Sequence, residues 1–296
     1  MNHFPFMKYK WLYFGFSTLI VIPGIISLIM FGLRLSIDFT GGTLLEIQTK
    51  SPAQPAQIIE LAKAQQIEIF SVQPSPDNIY LLRSKSITQE QSNLLKTELG
   101  KNYGEVVEKR FETVGPTIGA ELTQKSFLAV IVASVFIIIY LAWSFKSVPA
   151  PYTSWKFGAS AVLALLHDVI VVVGIFSLFG HFFKVEIDAL FITALLTIIG
   201  FSVHDTIVVF DRVRENLPKM PKHTFEEIVD FSITETLNRS LNTSMTVVLT
   251  LTSLLLFGGE TIRWFVVALL IGIVSGTYSS IFNASPILVL WENKHR

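Results

Sequence analysis

The chain has no cysteine among its 296 residues. A protein without thiols has no disulfide framework, no thiolate-bound zinc or iron–sulfur centre and no cysteine nucleophile. It also has no excess of either charge, because 23 basic residues balance 23 acidic ones. That balance gives no reason to expect nucleic-acid binding, which depends on a surplus of lysine and arginine.

Charged residues of both signs are scarce. They make up 16% of the chain, whereas soluble domains average about 25%. Hydrophobic residues account for 51%. No phosphate-binding loop, zinc-binding motif or serine-based catalytic triad is recognisable in the sequence. We therefore expect a membrane protein that is not an enzyme and that needs neither a cofactor nor a metal ion.

Six stretches are long and apolar enough to cross a bilayer, which takes about 20 helical residues. They are Trp11–Leu33, Ser126–Phe145, Phe157–Phe183, Ala189–Phe210, Thr243–Phe257 and Trp264–Leu290. The first follows Lys8 and Lys10, as a signal peptide would. Its apolar run is longer than a signal core, however, and no small-residue cleavage site follows it. We interpret it as an uncleaved anchor.

The positions of lysine and arginine predict the orientation in the membrane. If the N-terminus is cytoplasmic, the short outer loops hold only Lys184 and Arg263. The basic residues on the inner side are then Lys8, Lys10, Lys146, Lys156, Arg212, Arg214, Lys219, Lys222, Arg239, Lys294 and Arg296. This asymmetry predicts that both termini are cytoplasmic.

The positions of the apolar spans predict that the chain has three parts. Residues 1–34 hold the N-terminus and the first helix, residues 35–124 form a polar domain outside the cytoplasm, and residues 125–296 form a helical bundle. A cytoplasmic loop is expected at about 211–242. The polar domain lacks histidine and clustered acids, so nothing in it suggests catalysis. An exposed sheet edge or face there would suit an extended polypeptide.

The polar domain alternates between strand and helix patterns. Alternating or β-rich segments predict strands at Gly42–Thr49, Ile67–Gln73, Ile79–Arg83 and Glu105–Val114. Helical spacing predicts helices at Pro55–Gln66 and Ile87–Leu99, the second with Thr88 as its N-cap. The order is β-α-β-β-α-β, which is the ferredoxin-like arrangement.

Acidic residues inside membrane spans are costly and indicate function by default. The third span contains His167 and Asp168, about eleven residues from its start, or roughly 16 Å deep at 1.5 Å per residue. The fourth contains His204, Asp205 and Thr206, about 8 Å from its cytoplasmic end. A carboxyl group that changes between ionised and neutral forms can transfer protons. Asp168 and Asp205 are therefore the proton-transfer candidates.

Each of these residues also has a structural interpretation. The two acids can be hydrogen-bond ties between helices, and His167 and His204 can be neutral donors rather than proton carriers. Arg212 follows Asp205 by seven residues and shares its helix face, so it is either a polar partner or an anchor at the membrane surface. Thr206 is a further polar partner candidate.

Several longer motifs follow one another along the chain. They are Asp38–Thr43 after the first helix, Gly115–Gly119 before the second, Leu166–Val169, Leu195–Arg212, Asn238–Ser240, Phe257–Arg263 and Gly276–Ile281. Together they resemble the SecF family of protein-export membrane proteins, over nearly the whole chain. One departure is His204, where the family usually has asparagine.

The resemblance implies six helices that form half of an RND-type bundle, multi-pass in the cytoplasmic (inner) membrane and paired with SecD. It implies use of the proton-motive force, or of sodium in some members, to assist late translocation of unfolded polypeptide through SecYEG. It also implies YajC as an associated partner. Asp168 and Asp205 match motif positions as the membrane acids, with Arg212 as a weaker polar partner.

The resemblance also suggests how motion would reach the outer domain. The joints between the membrane helices and that domain are rich in glycine, and their hinge candidates are Asp38, Gly41, Gly42, Gly115 and Pro116. Two other functions remain open at this stage. One is an RND-type exporter of lipids or small molecules, which would need larger outer domains. The other is a translocon assembly factor that uses no energy.

Overall fold

A computed structural model describes residues 4–146, 148–149 and 151–293. The chain forms two compact units. One is a helical bundle made from Met1–Arg34 and Leu128–Arg296, and the other is a sheet domain, Leu35–Phe127. Lys294 and Arg296, which contribute to the predicted orientation, lie outside the described residues.

The described residues contain the following helices and strands. The helices are α1 (Lys10–Phe31), α2 (Ile37–Thr40), α3 (Pro55–Ala64), α4 (Gln89–Tyr103), α5 (Pro116–Ser144), α6 (Ser154–Phe183), α7 (Ala189–Asn216), α8 (Phe225–Phe257), α9 (Glu260–Ser279) and α10 (Ser285–Asn293). The strands are β1 (Gly42–Thr49), β2 (Ile69–Ser75), β3 (Ile79–Ser84) and β4 (Val106–Val114).

The sheet domain has the predicted ferredoxin-like fold. Its four strands are antiparallel in the order β2-β3-β1-β4, and side chains of β1 and β3 form a core with α3 and α4. Thr88 caps α4 as predicted, since its hydroxyl accepts from the N–H of Gln91 at 3.3 Å. The second strand begins two residues later than predicted, at Ile69, and continues through Ser75, two residues beyond its predicted end at Gln73.

The predicted count of six apolar helices is confirmed in the described part of the chain. The segments long and apolar enough to cross a membrane are Phe6–Phe31, Pro116–Ser144, Ser154–Phe183, Ala189–Asn216, Phe225–Phe257 and Thr261–Glu292. They differ in how much of their surface the bundle covers. Within the most apolar stretch of α5, 6% is buried, whereas 61% of the corresponding stretch of the sixth segment is buried. The sixth segment is therefore the most enclosed of the six.

The predicted loop at 211–242 is mostly helical, and residues 217–224 alone separate α7 from α8. The hydroxyl of Thr224 accepts from the N–H of Glu227, and the Glu227 carboxylate accepts from the N–H of Thr224 at 2.8 Å. This capping box begins α8 far ahead of its apolar part. One face of the polar first half of α8, which includes Ile233, is buried in the bundle core. This burial keeps that half of the helix helical.

The sixth apolar segment is not a uniform α-helix. A π-helical segment, Ser280–Ala284, separates α9 from α10. The hydroxyl of Ser285 donates to the carbonyl oxygen of Ser280 at 3.2 Å. π-helical turns inside α-helices frequently lie at functional sites, and this one directly follows the polar part of α9.

Small residues allow α9 to approach α7 closely. A Cβ atom on Gly272 would overlap Ile198, and one on Gly276 would lie 3.2 Å from the Cα of Ser202. Without side chains at these two positions, the helix backbones come close enough for short hydroxyl side chains to bridge them. This close packing places the serines and threonines of α9 next to the acidic residues of α6 and α7.

Candidate functional site

Asp168 on α6 is completely buried and fully hydrogen-bonded. Its Oδ2 accepts from the hydroxyls of Ser202 and Ser279, both at 2.6 Å. Its Oδ1 accepts from the hydroxyl of Ser275 at 2.7 Å and lies 3.0 Å from Nδ1 of His167. Four such contacts fill the acceptor capacity of an ionised carboxylate. The carboxylate ties α6 to both α7 and α9.

Asp205 on α7 is also buried, at 2% exposure, but its contacts are longer. Its Oδ2 accepts from Thr277 on α9 at 3.3 Å and from Ser244 on α8 at 3.5 Å. Those two hydroxyls are 2.6 Å apart. Oδ1 lies 3.6 Å from Nδ1 of His204, too far for a hydrogen bond. Asp205 is therefore held less tightly than Asp168.

Thr206 lies in a hydroxyl chain beside the two acids. Its Oγ1 donates to the carbonyl oxygen of Ser202 at 3.2 Å and lies 2.8 Å from Oγ of Ser280. Ser202 in turn donates to Asp168, and Ser280 is the first residue of the π-helical segment. The π-helical segment is thus hydrogen-bonded directly to the buried polar groups around Asp168 and Asp205, which we call the polar centre of the bundle.

The structure does not bring Arg212 to Asp205. The guanidinium group of Arg212 makes two hydrogen bonds to Glu235 of α8, at 2.6 and 2.8 Å, and one to Glu215 at 2.9 Å. It joins α7 to α8 near the end of α7. No group of three or more histidines, aspartates or glutamates that could hold a metal occurs among the described residues.

The hinge candidates differ in how tightly they pack within the sheet domain. Asp38 lies in α2, where its N–H donates to the hydroxyl of Ser36 at 3.2 Å. A Cβ on Gly41 would lie 3.0 Å from the Cα of Pro116. Gly115, in contrast, has open space around the position of a Cβ. Gly41 is therefore closely packed against Pro116, whereas Gly115 has room for a side chain.

Gly42 provides a direct test of this packing. Its φ is +120°, and a Cβ there would lie 2.6 Å from the carbonyl oxygen of Ser84. We expect Gly42→Val to lower the unfolding free energy of the sheet domain by about 1–3 kcal/mol, the usual cost of a strained backbone. Protease resistance of the purified chain on heating measures the effect. Gly115→Ala is the matched control, and equal stability of both variants would contradict the prediction.

Two exposed faces of the bundle carry polar or small residues within apolar spans. On α7 the exposed positions include Thr193, Thr197, Gly200 and His204, which we call the α7 stripe. On α8 they include Thr243, Thr246, Thr250 and Ser253, which we call the α8 stripe. The exposed positions of α5 within the same unit are large and apolar instead, among them Ile131, Val135 and Phe136. The two stripes are therefore the faces least suited to lipid.

The sequence pattern did not identify the hydroxyl groups around the two acids. Ser275 and Ser279 are four residues apart and so lie on one face of α9, beside the small residues Gly272 and Gly276. That spacing was visible in the sequence. Which acid the hydroxyls contact was not visible, because it depends on how α9 packs against α6 and α7.

Comparisons with known proteins agree with this architecture. A family model described as protein export membrane protein SecD/SecF, C-terminal, matches residues 95–294, and one described as the SecD/SecF GG motif matches residues 26–53. SecF of Thermobaculum terrenum is 48% identical, with 97% of this chain and 94% of the relative covered. SecF of Anaerolinea thermophila is 43% identical, with 96% and 92% covered.

Two longer proteins are similar to this chain over part of their length. The SecDF protein of Bacillus subtilis is 35% identical over 99% of this chain and 39% of its own length. The crystal structure of SecDF from Thermus thermophilus has a TM-score of 0.83 and 32% identity, and covers 99% of this chain and 39% of that protein. The fold, the polar centre and these relatives lead to one assignment. The chain belongs to the SecF family of protein translocase subunits.

Proposed function

We propose that this chain acts with a SecD partner to convert an ion gradient into work on exported polypeptides. The Bacillus subtilis relative carries a SecF-like part within a single SecDF protein, which supports association with SecD. The α7 and α8 stripes are the surfaces suited to such a partner, since polar faces at membrane depth are better covered by protein than by lipid. SecYEG and YajC are the further partners we propose.

The buried acids carry this proposal. Asp168 joins three helices through hydrogen bonds that an ionised carboxylate accepts, and protonation would turn one of its oxygens into a donor. The contacts to Ser202, Ser275 and Ser279 would then have to rearrange. Proton binding at Asp168 or Asp205 would therefore change how α6, α7 and α9 pack. No covalent chemistry is needed, so we propose a transport subunit rather than an enzyme.

The available energy is sufficient for such a change. One elementary charge that crosses about 100 mV releases about 2.3 kcal/mol, which shifts a two-state equilibrium by tens-fold. With the predicted orientation, both termini are cytoplasmic and the sheet domain lies outside. The closely packed joint at Gly41 and Pro116 would transmit helix motion to that domain, where the exported chain would be held or released.

Export into membrane vesicles tests the proposal. Vesicles that contain SecYEG, SecD and this chain should export a preprotein faster when a proton gradient is imposed, and vesicles without the chain should lose that stimulation. A purified complex of the chain with SecD is expected from the same membranes. An assembly factor would instead support export equally with and without the gradient. An exporter of lipids or small molecules would leave preprotein export unchanged.

A further inference from the structure

His204 is the exposed neighbour of a buried acid. Its side chain is 57% exposed, whereas that of Asp205 is 2% exposed. One carboxylate oxygen of Asp205, Oδ2, contacts the buried hydroxyls of Ser244 and Thr277. The other, Oδ1, lies 3.6 Å from Nδ1 of His204. The carboxylate therefore has one oxygen towards the interior and one towards a ring that reaches the surface of the bundle.

The position of His204 on α7 gives it access to that surface. It belongs to the α7 stripe, whose exposed members recur at spacings of three and four residues and so share one helix face. Thr193 and Thr197 on this stripe donate to carbonyl oxygens of their own helix. His204 differs from them because an imidazole ring can accept a proton at one nitrogen and donate one from the other.

We infer that His204 carries protons between Asp205 and the exposed face of α7. The inference rests on the proposed function, in which Asp205 changes its protonation state. Among the described residues, the groups that contact Asp205 from α8 and α9 are hydroxyls, which do not ionise near neutral pH. On α6, His167 and Asp168 contact each other instead. His204 is thus the group placed to exchange protons with Asp205.

The transfer conserves charge on the histidine ring. In the loading step, a hydronium ion at the α7 stripe gives its proton to Nε2 and becomes water, the N–H bond at Nδ1 breaks, and an O–H bond forms at Oδ1 of Asp205. The ring begins and ends neutral but changes tautomer, and the carboxylate becomes a carboxyl group. Release by the same route reverses these changes. The 3.6 Å separation exceeds a hydrogen bond, so the exposed ring must rotate towards the acid or use one bridging water.

Substitution by asparagine separates proton transfer from hydrogen bonding. An amide donates and accepts hydrogen bonds but does not carry a proton near neutral pH. In proteoliposomes that contain the chain and SecD, we expect His204→Asn to slow gradient-driven proton uptake by at least about tenfold. A pH-sensitive dye inside the vesicles measures the rate. Added imidazole should restore a substantial part of the lost rate, because it can replace the missing ring.

Two further variants make the result specific. His223→Asn makes the same change at an exposed histidine outside the apolar spans, and we expect it to keep the normal rate with no response to imidazole. Asp205→Asn should abolish uptake with or without imidazole. A normal rate in His204→Asn would overturn the inference, and so would a loss that imidazole does not repair. If the unaltered complex takes up no protons, the proton-driven form of the proposed function fails as well. Stimulation by a sodium gradient alone would overturn only the relay.

Discussion

Asp205→Asn is expected to abolish the stimulation of preprotein export by a proton gradient while the complex with SecD remains intact. Asparagine has nearly the same size, and its amide can still bond to the hydroxyls of Ser244 and Thr277. It cannot gain or lose a proton, however. We therefore expect the gradient-dependent part of export to fall by at least about a hundredfold, the lower end of the range that a single proton-transfer group contributes. Export into vesicles with and without the gradient measures this.

The same substitution at a surface position is the control. Asp211 lies on the same helix and forms an ion pair with Arg214, three residues away. Exposed pairs of this kind contribute little stability, about 0–1 kcal/mol, so Asp211→Asn should export normally. Full gradient stimulation in Asp205→Asn would contradict a proton role for Asp205. Loss of the complex in that variant would indicate a structural tie instead.

Substitution of Asp168 should have a large effect on both stability and function. Two different substitutions separate these two effects. Asp168→Leu removes the acceptor shared by the hydroxyls of Ser202, Ser275 and Ser279. Each buried donor left without a partner costs about 1–3 kcal/mol, so we expect a loss of about 3 kcal/mol or more in unfolding free energy. The melting temperature of the purified complex and the amount of chain in the membrane report this loss.

Asp168→Asn should behave differently from Asp168→Leu. The amide keeps one acceptor oxygen, and the serine hydroxyls can rotate to accept from its NH₂ group. We expect the complex to assemble with a melting temperature close to normal, yet without stimulation by the gradient, because the side chain is held in a neutral form. Normal gradient-stimulated export would exclude a proton role for Asp168. Equal destabilisation by asparagine and leucine would show that the negative charge itself holds the three helices together.

The sequence by itself determined the architecture. Hydropathy identified six spans, and the alternation of strand and helix patterns identified the ferredoxin-like domain, because both depend on local periodicity. The same reasoning failed at 211–242. There the residues are polar enough to suggest a loop, but a capping box at Thr224 and burial of residues such as Ile233 keep most of the stretch helical.

The sequence also singled out Asp168 and Asp205, because charge at membrane depth is costly wherever it occurs. Only the tertiary structure decided how they differ. Asp168 is enclosed by hydroxyls from two other helices, whereas Asp205 lies beside the exposed ring of His204. Arg212, which shares a helix face with Asp205 in sequence, bonds to Glu235 instead. Such contacts depend on how closely separate helices pack. The spacing of residues along one helix does not determine that distance.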